Sequence, residues 1–132
     1  MVNKLLHPQE IEVFYVIPTI RKHFAEALVK QGMKQKDVAK IFGVTTPAIS
    51  QYLSKKRANE LEFTKDVIQE INKSATKITN QQSYITQTQH ILQFIRTTET
   101  ICKIHKMFSN VPKGCSMATT GCTNHVKPNV KF

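Results

Sequence analysis

The stretch that decides the fold runs from Gln35 to Ser54, QKDVAKIFGVTTPAISQYLS. Val38, Ala39, Ile41 and Phe42 follow the spacing of one helix face and stop at Gly43, where a positive φ costs little. Thr45-Thr46-Pro47 then reads as a helix start, with a threonine cap and a proline in the first turn. Ala48, Ile49, Tyr52 and Leu53 carry that second helix into the basic run Lys55-Lys56-Arg57. The pattern predicts two short helices joined by a tight turn. Ala39 has to be small because the helices cross there. Val38, Phe42, Val44, Ile49 and Tyr52 are expected to lock the pair onto a larger core.

Working outward, Ile20, Phe24, Ala27 and Leu28 mark an amphipathic helix that ends at Gly32. Ile11–Ile17 suits a helix begun at Pro8 but also a strand; helix is preferred, with Pro18 ending or kinking it. Residues 60–75 read as one amphipathic helix and the polar residues 76–83 as a break. From Tyr84 to Phe108 a long Gln- and Thr-rich helix is expected, with two ladders of roughly heptad spacing. One runs through Ile85, Leu92, Ile95 and Cys102, the other through Tyr84, Ile91, Thr98 and His105. Such ladders suit a partner helix, hence a homodimer, or ordinary packing on the N-terminal part. Beyond Ser109 the composition predicts an irregular tail. The fold class expected is all-α, divided into 1–58, 59–108 as a dimerisation region, and 109–132.

Charge sharpens the picture. The 132 residues carry 19 Lys+Arg against 9 Asp+Glu, a formal net charge of +10. Residues 19–57 hold nine basic residues against two acidic ones, and residues 100–132 hold five lysines and no acid; the rest is close to neutral. No apolar run is long enough to span a membrane and no secretory leader is visible, so a cytoplasmic location is expected. With 40% hydrophobic residues the chain can build a core. A helix pair inside a strongly basic block has the layout of a helix-turn-helix, whose second helix enters the major groove of double-stranded DNA. Thr46, Pro47, Ser50 and Gln51 lie at its exposed start and are expected to read bases, Gln51 by pairing bidentately with adenine. Lys34, Gln35, Lys36, Thr45, Tyr52, Lys55, Lys56 and Arg57 are placed for phosphates, with core packing the competing role for Tyr52.

The run from Val16-Ile17-Pro18 through Gln35-Lys36-Asp37-Val38-Ala39 to Ser50-Gln51-Tyr52 and Lys56-Arg57 resembles an archaeal family of transcriptional regulators with a phage-repressor or Cro-like domain. The resemblance covers roughly residues 8–58. It implies a repressor/Cro-like fold and DNA as partner. It extends to the Cys-x-x-His pair Cys102-Lys103-Ile104-His105 with a later Cys, here Cys115. The chain departs from the family in placing Lys34 where Ser or Thr often caps the first helix, and in having only three cysteines.

Cys102 and His105 stand at i, i+3, and Cys122 and His125 repeat that spacing. Cys102, His105, Cys115 and Cys122, with His125 as alternative ligand, suit zinc or an iron–sulfur cluster. The competing readings are a buried Cys102 with incidental tail thiols, or a redox disulfide between Cys115 and Cys122. Other function classes remain in view: a protein-interaction or antitoxin-like module, and a metal- or redox-responsive regulator. An enzyme is not expected. The chain shows no Gly-rich phosphate loop, no nucleophile elbow and no evident site for a small-molecule substrate.

Overall fold

The computed structural model describes residues 5–54, 57–58, 61–98 and 100–108, the side chains of 100–102 and 108 excepted. Among these residues the chain is all-helical. α1 (Pro8–Ile11) leads into a widened π-helical turn (Glu12–Val16), which continues directly as α2 (Ile17–Lys30). Of the two outcomes expected at Pro18, an end or a kink, the run does not end; Pro18 sits in the first turn of α2, directly after the widened turn. The wide turn answers the clash a proline ring would make with the carbonyl four residues back. The Ile17 amide reaches the Glu12 carbonyl instead, and the Thr19 hydroxyl donates to the Tyr15 carbonyl at 2.7 Å.

α2 closes on Gly32 at φ +100°. The Gly32 amide donates to the Val29 carbonyl and the Met33 amide to that of Leu28, the paired closure that leaves few orphan carbonyls. α3 (Gln35–Phe42) ends in the same way at Gly43, φ +67°, with the Val44 amide on the Ala39 carbonyl at 3.0 Å. α4 spans Thr46–Leu53.

Three expectations for the C-terminal half are corrected. Residues 61–64 are not helical. Leu61 and Phe63 are buried on either side of exposed Glu62, an extended alternation, and α5 (Lys65–Ala75) begins only after Thr64. The polar stretch 76–83 is not wholly a break. Asn80 accepts the Ser83 amide at 2.8 Å while the Ser83 hydroxyl faces the Asn80 amide at 2.9 Å. That reciprocal cap starts α6 (Gln81–Thr97). The long helix expected from Tyr84 to Phe108 is two: α6 stops at Thr98, which is extended, and α7 (Thr100–Phe108) follows. Thr97 and Thr98 explain the stop, their hydroxyls donating to the Phe94 and Ile95 carbonyls and competing with the helical ladder.

One hydrophobic cluster joins the helices, from Ile11, Val16, Ile20, Phe24 and Leu28 through Val38, Phe42 and Ile49 to Val67, Ile71, Ile91, Ile95 and Ile104. It takes residues from both sides of position 58. The heptad ladders are absorbed here: Tyr84, Ile91, Leu92 and Ile95 are buried within this chain. Ile85 alone of their aliphatic residues stays exposed, at 58%. α6 packs against α2, α3, α5 and α7. Among the described residues no helix is long and apolar enough to cross a membrane.

Candidate nucleic-acid interface

α3 and α4 meet through Val38, Ala39, Phe42, Ala48, Ile49 and Tyr52, all less than 8% exposed. Burying these six leaves the other side of α4 outward. Thr46, Pro47 and Ser50 are exposed and Gln51 is half-buried beside them, so the four residues expected to read bases share one surface. Pro47 fixes the first turn, and the Thr45 hydroxyl oxygen accepts the Ala48 amide at 3.3 Å. The Thr45 hydroxyl proton is then able to donate outward from the same surface.

Lys34 precedes α3 with extended backbone (φ −72°, ψ 146°) and no side-chain hydrogen bond to the first turn. Lys34, Gln35, Lys36 and Lys40 are exposed along this segment, and Arg57 is exposed beyond α4. The Arg57 guanidinium carbon stands 5.9 Å from the centre of the Tyr52 ring. Lys55 and Lys56 lie outside the described residues.

Two side chains turn inward. Of the two roles expected of Tyr52, phosphate contact and core packing, the structure shows the second: it is 4% exposed and belongs to the core. Its hydroxyl favours the charged form of Arg21. Arg21, counted from sequence in the basic block, turns inward as well, its Nε donating to the Tyr84 hydroxyl at 3.1 Å. Burial works against the Arg21 charge, yet the Tyr84 and Tyr52 hydroxyls outweigh it and hold the guanidinium protonated. Burial also pushes the Tyr84 phenol above its ordinary range, with Arg21 opposing. Lys40, which sequence reasoning left without a role, is displayed at the end of α3; its only sequence signal is its place in the basic block.

His105 is 7% exposed and its Nε2 bonds the Leu6 carbonyl, tying α7 to the N-terminal segment. Of the set expected to bind zinc or an iron–sulfur cluster it is the only side chain described. Cys115, Cys122, His125 and the Cys102 side chain lie outside the described residues. Among the described residues no three His, Cys, Asp or Glu side chains gather as a metal site.

No curated protein and no solved structure matches the chain. Residues 24–63 match a family model described as helix-turn-helix, a span that contains the end of α2 and all of α3 and α4 and stops short of the Cys/His region.

Proposed function

We propose that the protein is a sequence-specific, double-stranded-DNA-binding transcriptional regulator acting as a homodimer, with α4 laid in the major groove. The observation that carries this reading is the division of α4. Ala48, Ile49 and Tyr52 are spent on the core, while Thr46, Pro47, Ser50 and Gln51 form an outward face inside the basic block. A helix so anchored presents its N-terminal residues to base edges. Gln51 reads adenine through its amide, and the carbons of Thr46 and Pro47 meet thymine methyls. Lys34, Lys36, Thr45 and Arg57 hold phosphates, which fixes register without reading sequence. The first-turn amides of α3, left without a side-chain cap, suit a phosphate oxygen too.

Selection of bound sequences from random DNA tests the reading, followed by titrations at several salt concentrations on the selected and scrambled sites. Gln51→Ala is expected to relax the preference at one base position. Lys36→Ala is expected to weaken both sites alike and lower the salt slope by about one. Binding with no selected sequence, and slopes unchanged by Lys36→Ala, would remove it.

A further inference from the structure

α6 begins where α3 ends. The Gln81 side-chain amide donates to the Lys40 carbonyl at 3.0 Å, across 41 residues of sequence. That carbonyl lies in the last turn of α3, where helical partners run out. The Val44 amide, which a continuing helix would aim at it, is turned instead to the Ala39 carbonyl at 3.0 Å. The Gly43 amide reaches it only at 3.3 Å and is shared with Ala39. One turn along α6, Tyr84 stacks on Phe42 and its hydroxyl accepts from Arg21 of α2 at 3.1 Å. The reciprocal Asn80–Ser83 cap holds the turn of α6 that presents Gln81 and Tyr84. Beside the junction lies an open groove of about 300 Å³, lined by Ile41, Phe42, Gly43, Gln81, Tyr84 and Ile85. Gln81 itself is exposed.

We propose that Gln81 is a positioning residue for the recognition surface, fixing through the Lys40 carbonyl how α3 and the turn 43–45 carry α4. This role rests on the DNA-binding reading and adds the residue that aims it. Stacked rings slide over one another at little cost, so the Phe42–Tyr84 contact sets a spacing more firmly than a tilt. A hydrogen bond is directional and limits the tilt, and the groove beside it is open rather than packed. α3 and α4 are each eight residues long, about 12 Å, so a tilt at one end reaches every outward residue of the pair. Base-reading groups have to be held to within about 0.5 Å by supporting hydrogen bonds. Affinity for DNA of any sequence comes instead from phosphate charge and tolerates a small misalignment. Losing the Gln81 donor is therefore expected to lower discrimination between sites more than binding itself. Because the side chain is exposed, its loss opens no cavity in the core.

Titration of the full chain on its selected site and on a scrambled site tests this, read as the ratio of the two affinities. Gln81→Met keeps the length of the side chain and removes the donor. It is expected to lower the ratio about three- to tenfold, the worth of one hydrogen bond, at an unchanged salt slope and melting temperature. Gln81→Lys restores a donor. Its added charge strengthens both sites alike and cancels in the ratio, which is expected to return to the wild-type value. Amide hydrogen exchange without DNA is expected to quicken at Gly43 and Val44 in Gln81→Met and not in Gln81→Lys. A wild-type ratio in Gln81→Met overturns the role, as does a loss that Gln81→Lys leaves in place. If the wild type selects no sequence, the regulator reading falls and exchange alone decides whether Gln81 holds the turn. Quickened exchange in Gln81→Met then supports the hold, and unchanged exchange overturns it.

Discussion

Arg96 grips Glu12 with two nitrogens, Nε at 2.7 Å and Nη2 at 2.8 Å from the two carboxylate oxygens, across 84 residues of sequence. Glu12 is 6% exposed, on the π-helical turn, and Arg96 lies near the end of α6. The pair fastens the N-terminal helical run to the C-terminal half. The carboxylate in turn holds the Arg96 guanidinium protonated, against a smaller penalty from its burial.

Breaking that pair leaves a buried carboxylate without its counter-charge. Arg96→Ala is expected to cost about 2–4 kcal/mol, a little under the range for fully buried pairs because Arg96 is partly solvated. Replacing both residues, Glu12→Leu with Arg96→Met, is expected to recover most of the loss. Urea denaturation of the three variants checks this; an Arg96→Ala cost under half a kilocalorie would show the pair to be incidental.

Tyr84 draws three elements together. Its ring stacks on Phe42 at 4.3 Å between centroids and meets the edge of Phe24 at 6.4 Å, while its hydroxyl accepts from Arg21. Tyr84→Phe keeps the rings and strands part of the Arg21 guanidinium, at a cost of about 1–2 kcal/mol. Tyr84→Ala also empties the space under α3 and is expected to cost about 3–5 kcal/mol. The ratio of the two losses, read from denaturation midpoints, separates the polar contribution from the packing one.

Gly43 holds φ +67° at the turn between α3 and α4, and a Cβ built there meets nothing within 4 Å. The cost of Gly43→Ala is therefore backbone strain alone, about 1–2 kcal/mol. Gly43→Asn is expected to cost less, because asparagine tolerates this conformation. Thermal melts of both variants decide it, and a larger loss for Asn than for Ala would contradict the strain account.

The helix pair was legible because its signals are local. The Gly43 stop, the Thr45 cap and the apolar spacing from Val38 to Tyr52 each act within a few residues, and each has its counterpart in the structure. The second half was less legible because its features depend on partners distant in sequence. Nothing near Glu12 signals Arg96, and nothing near Arg21 signals Tyr84, so Arg21 was counted with the surface charge. The ladder through Leu92 and Ile95 has the same spacing whether it meets a second chain or its own core; periodicity does not say which. The break at Thr98 was missed for another reason. Runs of threonine continue a helix or end it according to where their hydroxyls bond, and the sequence does not carry that choice.

The last expectation concerns acid. His23, half-buried against Phe63 with ring centroids 5.7 Å apart, has its imidazole held below the ordinary value of 6.5, chiefly by burial, with Lys22 adding to the shift and Glu26 opposing it. The unfolded chain then takes up the proton more readily than the folded one, so unfolding gains as protons become available. The stability His23 contributes is complete above pH 6.5 and is lost as pH falls from there towards its folded value. Glu70 acts lower. Its carboxyl is held below the usual 4.5 by the hydrogen bond from His90, so its contribution is present above that pH and lost beneath it. Urea midpoints of the wild type and of His23→Phe, which keeps a ring against Phe63, are to be compared from pH 7.5 to 5.0. The wild type is expected to lose stability faster over this interval, and parallel curves would assign the acid sensitivity to another group.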